Sequence, residues 1–348
     1  MKKSLIAMAV LAASGVASAQ STVTLYGLVD AYVGSSRVKT TVGGVSTSAR
    51  QTVLNGSGFN TSRFGLKGSE DLGGGLKANF VLEGGFDAST GAANNFVNYF
   101  GAAGNTANAT FGRQSWVGLS GGFGELKLGK MWTPYDEVKG SGAGAFDAGL
   151  FAPAAGVWLS NSYQDRPGNS IYYSTPNFGG ISAAASYSFG ENKTATQDAG
   201  KIISANLQYA GGPIAAALAY QSEKQGGLLA ANDTTKFTQL NASYDFQVVK
   251  VLAAYGNVKQ GGTKANEYQI GVDVPLGNAL TLSTGVARSK LQPAGGGEVK
   301  STGFGLAAKY AVSKRTFLYT GLQLAKNEIN AGNETKTDTF AVGVQHKF

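Results

Sequence analysis

Apolar and polar residues alternate along most of this chain with a period of two. In 22–34, Val23, Leu25, Val29 and Val33 share one face, and Thr24, Tyr26, Asp30 and Tyr32 the other. In 181–189, Ile181, Ala183, Ala185, Tyr187 and Phe189 oppose Ser182, Ser186 and Ser188. In 238–246, Leu240, Ala242, Tyr244 and Phe246 oppose Gln239, Asn241, Ser243 and Asp245. The runs 203–209 and 267–274 repeat the pattern. This period belongs to strands with one apolar and one wet face. Counting such runs predicts about sixteen strands, an even number as in closed membrane barrels.

Short and long connections alternate between the runs. The short ones are 71–75, 121–124, 177–180, 211–213, 275–278 and 312–314, all rich in Gly, Pro, Asn, Asp or Ser, which is turn chemistry. The long ones are polar: 36–58, 87–109, 190–200, 222–235, 257–265, 288–300 and 326–337. Short turns on one side and long loops on the other characterise transmembrane β-barrels. A sheet this wide, left open, would have edges to protect, and closure removes them. The expected seam pairs Val23–Gly34 antiparallel with Thr339–Phe348. The expected fold is therefore an all-β, transmembrane antiparallel barrel.

Charge supports that fold. Arg63, Lys67, Lys77, Glu83, Lys250, Glu267, Asp273, Lys309 and Lys347 all fall on the polar parity of their strands. A basic residue on a lipid face costs about 2–4 kcal/mol at mid-bilayer, so this sorting is expected. Lys130 and His346 break the parity, both near strand ends, and 110–119 alternates poorly. Tyr187, Phe189, Tyr209, Tyr220, Tyr244, Tyr255, Tyr268 and Tyr310 recur at strand ends, as interfacial girdles do. Cross-strand packing in a sandwich would also place aromatics there.

One stretch lacks the period: Met131–Arg166. It carries Asp136, Glu137 and Asp147, small residues at 140–145, and ends on Asp165-Arg166. A structureless connection of this length is uncommon in a compact domain and usually functional. The reading is an inward-folded loop inside a strand wall.

Composition narrows the rest. There is no cysteine, so disulfides and thiol chemistry are excluded. The single histidine, His346, cannot build a His-based triad or a His-rich metal site. The glycine-rich run at 140–145 lacks the Gly-Lys-Ser/Thr ending of a nucleotide loop. No enzyme and no cofactor is expected. Lys2-Lys3, the apolar run Leu5–Ala13 and Ala17-Ser18-Ala19 form a signal peptide, residues 1–19. The barrel then occupies residues 20–348, and the formal charge falls from +8 to +6 when Lys2 and Lys3 are removed. With no Lys/Arg block, nucleic-acid binding is not implied.

The chain resembles the general porins of beta-proteobacteria, a trimeric family of sixteen-stranded outer-membrane channels. The resemblance is carried by Val23-Thr24-Leu25-Tyr26-Gly27, by 62–76 (SRFGLKGSEDLGGGL), by 113–119 (RQSWVGL), by 123–129 (FGELKLG), by 172–180 (YYSTPNFGG) and by the terminal Phe348. It implies that the loop after the fifth strand narrows the lumen. It also implies that Arg63, Arg113 and Arg166 are constriction bases facing the acids Asp136, Glu137 and Asp147. Asp30, inward by parity, stands where some relatives carry lysine. The implied partners are two further copies in a homotrimer (with 87–109 reaching a neighbour), outer-membrane lipid, the outer-membrane assembly machinery acting on the Phe348 strand, and small hydrophilic solutes and ions. For the arginines, ion pairing with a loop acid and selectivity are compatible readings. The implied function is passive diffusion with a mild anion preference. A surface adhesin with a plugged lumen and a substrate-specific porin are the alternatives.

Overall fold

The computed structural model describes residues 22–93, 109–141, 149–195, 198–226, 234–330 and 332–348. The signal segment lies outside them. Strands β1 (Thr22–Val42), β2 (Val45–Gly56), β3 (Arg63–Gly73), β4 (Leu76–Gly85), β5 (Gln114–Gly121) and β6 (Gly124–Lys130) come first. After the loop come β7 (Ser170–Ser174), β8 (Ile181–Phe189), β9 (Ala199–Gly211), β10 (Ile214–Gly226), β11 (Thr234–Asp245) and β12 (Lys250–Gln260). The chain ends with β13 (Thr263–Leu276), β14 (Leu280–Gln292), β15 (Val299–Ala311), β16 (Thr316–Asn330) and β17 (Asn333–Lys347).

These segments form one antiparallel sheet that closes on itself. β1 pairs β17 from Leu28↔Lys347 to Thr41↔Glu334. On its other edge β1 pairs β3 through Thr22–Leu28 and β2 through Ala31–Val42. β2 and β3 therefore share one stave, interrupted at 57–62, and the barrel has sixteen staves. The expected closure is present, shifted so that β1 meets β17 mainly above Gly27.

Several expected loops are strand instead. The region 36–58 is mostly a β1–β2 hairpin, with Ser36 opposite Gln51 and Thr40 opposite Thr47. Its turn is Gly43-Gly44, both at positive φ (56° and 81°), as a two-residue hairpin turn demands. Likewise β12 and β13 run to Gln260 and from Thr263, β14 reaches Gln292, and β17 starts at Asn333. Pairing in water needs no apolar face, and Val and Thr at 38–47 favour strand backbone. A hairpin polar on both faces therefore looked like loop. In the opposite sense, β5 begins only at Gln114, which explains why 110–119 alternated poorly. The turn 246–249 between β11 and β12, missed in the sequence, joins the short set.

The two faces differ in kind. Outward positions expose large apolar side chains, such as Leu25 (62 %), Ile270 (54 %) and Leu218 (48 %). An apolar surface this continuous fits lipid and not water. Inward positions are small or polar and buried: Ala217, Ala254, Ala287, Ala307, Ala341, Ser204 and Gln239. The parity exceptions sit at strand ends. The Lys130 Nζ donates to the Arg166 carbonyl (2.6 Å), and His346 Nδ1 lies 2.8 Å from the Thr316 hydroxyl.

The seam is testable because the native chain carries no cysteine. Val33 and Val342 are register partners. Val33→Cys with Val342→Cys should crosslink within one polypeptide on oxidation, without raising the mass. Crosslinks found only between polypeptides would refute the closure.

Candidate functional site

The segment between β6 and β7 follows the fifth stave and folds into the barrel. It is not structureless. Helix α1 spans Pro134–Ser141, and a single 3-10 turn spans Leu159–Ser162. The local sequence explains the helix. Pro134 has its fixed φ in the first turn, the Thr133 hydroxyl accepts from the Asp136 N–H (3.3 Å), and Asp136 and Glu137 sit at the positive end of the helix dipole.

A loop inside a barrel has no strand beside it, so its backbone groups need other partners. Inward side chains of the wall supply them. The Ser204 hydroxyl accepts from Tyr135 N–H (2.9 Å), and Asn206 Nδ2 donates to Pro134 O (2.8 Å). Asn241 Nδ2 donates to Val138 O. Gln221 Nε2 donates to Gln164 O (2.8 Å), while Glu223 accepts from Gln164 N–H (2.7 Å). Glu267 accepts from the Ser160 N–H (3.2 Å), and Gln323 Nε2 donates to Ala155 O (2.8 Å). On β15 the wall makes room by having no side chain. A Cβ on Gly303 would lie 1.9 Å from Pro153 O, and one on Gly305 2.1 Å from Phe151 O. Phe151 then packs among Phe59, Ala307 and Tyr319.

The three predicted arginines converge, and Glu83 of β4 is the hub. Its Oε1 lies 2.7 Å from Arg113 Nε and its Oε2 3.6 Å from Arg63 Nε. The Tyr26 hydroxyl donates to it as well (3.0 Å). Arg166 pairs with Asp165 (2.8 Å) and lies 3.9 Å over the Trp132 ring, which Arg113 also faces at 5.4 Å. Two expectations change. The acid between Arg63 and Arg113 belongs to the wall and not to the loop. Arg166 is on the returning end of the loop, not on the facing wall. Arg113 and Arg166 side chains are 4 % exposed and Arg63 25 %, so Arg63 meets the lumen most directly. Burial pushes Arg166 down to about 10, aided by Arg113 and opposed by Asp165; it stays cationic at neutral pH. Glu83 was visible in the sequence only as an inward charge. Its partnership depends on the β3–β4–β5 register, which places Glu83 beside Gln114 and Gly65.

Of the predicted acids, Asp136 accepts from the Tyr163 hydroxyl, and Glu137 accepts from Tyr172 (2.7 Å) and Asn206 (2.9 Å). Asp147 lies outside the described residues. The arginines, Asp136 and Glu137 line one cavity of ≈ 1280 Å³. Among the described residues it is bordered by six basic and five acidic side chains, the others being Lys139, Lys250, Lys309, Glu83, Asp165 and Asp273. Asp30 does not join the lumen charges. It is fully buried in the β2–β3 break, where its carboxylate accepts from Gly58 N–H (2.9 Å), Phe59 N–H (3.1 Å), Asn60 N–H (2.9 Å) and the Tyr319 hydroxyl (2.5 Å).

Lys139 of α1 was not predicted. Its ammonium meets Ser160 Oγ (3.0 Å), Gln239 Oε1 (3.4 Å) and the Trp158 ring (4.3 Å). Burial pushes it down to about 7, opposed by Glu267 and Asp136.

The folded Lys139 binds fewer protons than the unfolded one between about pH 7 and its ordinary 10.5. Its burial cost is therefore fully present below about pH 7 and relieved as pH rises toward 10.5. Thermal unfolding of the detergent-solubilised barrel should shift upward from pH 6.5 to 9.5, and Lys139→Met should flatten that rise. An identical slope in the variant would contradict it. Gly303→Val should displace Pro153, cost about 1–3 kcal/mol as overpacking does, and raise single-channel conductance. Unchanged conductance and melting would contradict the trough.

A family described as Gram-negative porin matches residues 5–347. The chain is 40 % identical to outer membrane porin protein 32 of Delftia acidovorans, over 100 % of this chain and 93 % of that one. It is 32 % identical to an outer membrane porin protein of Bordetella pertussis, over 100 % of both. Among solved structures, it is similar to an anion-selective porin from Comamonas acidovorans, with TM-score 0.76 and 31 % identity, covering 94 % of this chain and 100 % of that one.

Proposed function

Because this chain belongs to the Gram-negative porin family, we propose that its lumen passes small hydrophilic solutes and ions with a mild preference for anions. The chain is an outer-membrane porin of a Gram-negative bacterium. The observation that carries the anion preference is the meeting of Arg63, Arg113 and Arg166 around Glu83 and Trp132. Arginine stays charged at any working pH, so the field it sets is not titrated away. Basic rings favour anions and acidic rings cations. Among the described residues around the cavity, the three guanidiniums carry the basic character that does not titrate, whereas burial pushes Lys139 down to about 7. The acids are also internally engaged, Glu137 by Tyr172 and Asn206, and Asp273 by Ser283. The similar Comamonas acidovorans porin is described as anion-selective.

The constriction works by position. Arg63 and Arg113 stand on or beside β3 and β5, Asp136 and Glu137 stand on α1, and all four border the same cavity. A narrow lumen with low-dielectric walls focuses the field between them. Screening limits it: the Debye length is about 10 Å at 0.1 M salt, so the preference fades as salt rises. The cavity favours a channel over a plugged barrel. An enzymatic role finds no support in its chemistry. Residues 1–19 are read as the cleaved signal and 20–348 as the barrel. The porin assembles as an oligomer, here taken as a homotrimer. Asn94, Asn95 and Asn98, the proposed contact with a neighbour, lie outside the described residues. The terminal strand is taken as the handle for outer-membrane assembly. Phe348 N–H and C=O pair with Gly27 (3.0 and 3.1 Å), so the last residue is part of the finished wall.

The test is the reversal potential in planar bilayers under a tenfold potassium chloride gradient. The wild type should show a mild anion preference. Arg63→Ala with Arg113→Ala should move it toward cations, with conductance equal or higher. Strong cation selectivity in the wild type, or an unmoved reversal potential in the double variant, would refute the role of the arginines.

A further inference from the structure

Asp30 is a fully buried carboxylate outside the charged cluster of Glu83 and the arginines. It stands on β1 beneath the 57–62 break, and the break is organised around it. Gly58 N–H (2.9 Å) donates to Oδ1, and Phe59 N–H (3.1 Å) and Asn60 N–H (2.9 Å) donate to Oδ2. The Tyr319 hydroxyl, from β16, donates to Oδ1 as well (2.5 Å). The Asp30 main chain holds the two ends of the break. Its carbonyl accepts from Ser57 N–H (2.9 Å), and its N–H donates to Ser62 Oγ (2.9 Å). Ser57 adopts φ 67°, a left-handed conformation that a non-glycine residue keeps only where its surroundings over-determine it. A continuous stave would satisfy the same peptide groups through its ladder, so what the break adds lies on its inner side.

Both parts of the constriction rest on that side. Gly58 O accepts from Leu150 N–H of the inward loop (2.7 Å). Phe59 packs edge-on against Phe151 of the loop, with ring centroids 6.1 Å apart, and against Tyr319 at 4.8 Å. Gly58 comes so near Tyr319 that a Cβ there would collide with the hydroxyl. At the other end of the break, Thr61 O accepts from Arg63 Nη1 (3.1 Å). Asn60 and Thr61 border the same cavity as Arg63 and as Gly149 and Ala152 of the loop. One carboxylate thus fixes a segment that meets the loop at one end and the most exposed of the three arginines at the other.

We propose that Asp30 is a positioning residue for permeation: through the 57–62 segment it sets where the inward loop and the Arg63 guanidinium stand, and so sets both the width and the selectivity of the lumen. Charge and position have opposite signs here. If Asp30 acted as a lumen charge, removing it would strengthen an anion preference. If it acts by position, removing it loosens Arg63 and the loop, and the anion preference weakens. Asn is the decisive replacement. It has nearly the same shape, but one of its two terminal atoms is a donor. Gly58 N–H and the Tyr319 hydroxyl converge on one carboxylate oxygen, and Phe59 and Asn60 N–H on the other. Either orientation of the amide therefore sets donor against donor.

One of the two readouts rests on the proposed role of the arginines in selectivity; the other does not. Asp30→Asn and Arg63→Ala are compared with wild type by reversal potential under a tenfold potassium chloride gradient and by single-channel conductance. Hydrogen exchange of the detergent-solubilised barrel is read on the peptides that carry Gly58–Asn60 and Leu150. Asp30→Asn should move the reversal potential toward cations and raise conductance. It should also speed exchange in both peptides by about tenfold or more, as local opening does. A role confined to stability would lower the melting temperature and leave all three at wild-type values, which would overturn the proposal. So would a shift toward anions, loop exchange at the wild-type rate, or an unmoved reversal potential where Arg63→Ala moves it. If Arg63→Ala leaves the reversal potential unmoved, the arginine reading fails, and loop exchange alone decides the role of Asp30. If Asp30→Asn does not fold, the wild type decides. Equal protection of Gly58–Asn60 and Leu150 would sustain the proposal, and exchange about tenfold faster at Gly58–Asn60 than at Leu150 would overturn it.

Discussion

The structure depends on how a loop without strand partners satisfies its backbone inside a barrel. Water cannot reach all of it, and no ladder is available to it. The wall answers with inward amides, hydroxyls and carboxylates: Asn206, Asn241, Gln221, Glu267 and Gln323 each reach a loop peptide group. Where the loop comes closest, the wall withdraws its side chains altogether, at Gly303 and Gly305. The two devices together explain why the inner face is small and polar while the outer face is large and apolar. Here the inner face is matched to one segment of the same chain, and only the remaining space is lumen.

Electrostatics in that space is built on the same economy of partners. Glu83 is nearly buried and shared by Arg63 and Arg113. An unpaired buried charge would be strongly unfavourable, so the carboxylate and the two guanidiniums fix one another. Trp132 fixes Arg166 and Arg113 in turn through its ring face. The loop and wall thus share one rigid charged cluster. Its charges are held in fixed positions by these pairings.

Much of this was legible in the sequence because two periods are hard to confuse. Alternation between Val23 and Phe348 gave the staves, and its absence over Met131–Arg166 marked the loop. What escaped was information that lives between strands. Glu83 and Arg113 are far apart in sequence and meet only through the register of β4 and β5. Asp30 shares parity with the lumen face, yet the break at 57–62 folds over it and removes it from the lumen. Parity reports a side, not whether that side is open. The β1–β2 hairpin was missed for the opposite reason. Above the membrane neither face is apolar, and a strand without amphipathicity carries no period to read.

The hydrogen bond between Tyr319 and Asp30 joins residues 289 apart, and the β1–β17 seam spans nearly the whole chain. Such contacts cannot form until the last staves have been synthesised and delivered. The floor on which Phe59 and Phe151 rest is completed by Tyr319 and Ala341, again from the end of the chain. Assembly therefore has an order imposed by geometry. The closed wall offers no side entrance, so the loop reaches its seat either before closure or through the open end of the barrel. A chain stalled before β16 would lack Gln323 and Tyr319 from the seat of the loop. The seat of the loop is in that sense completed last, by β16 and β17, although the loop itself is made earlier.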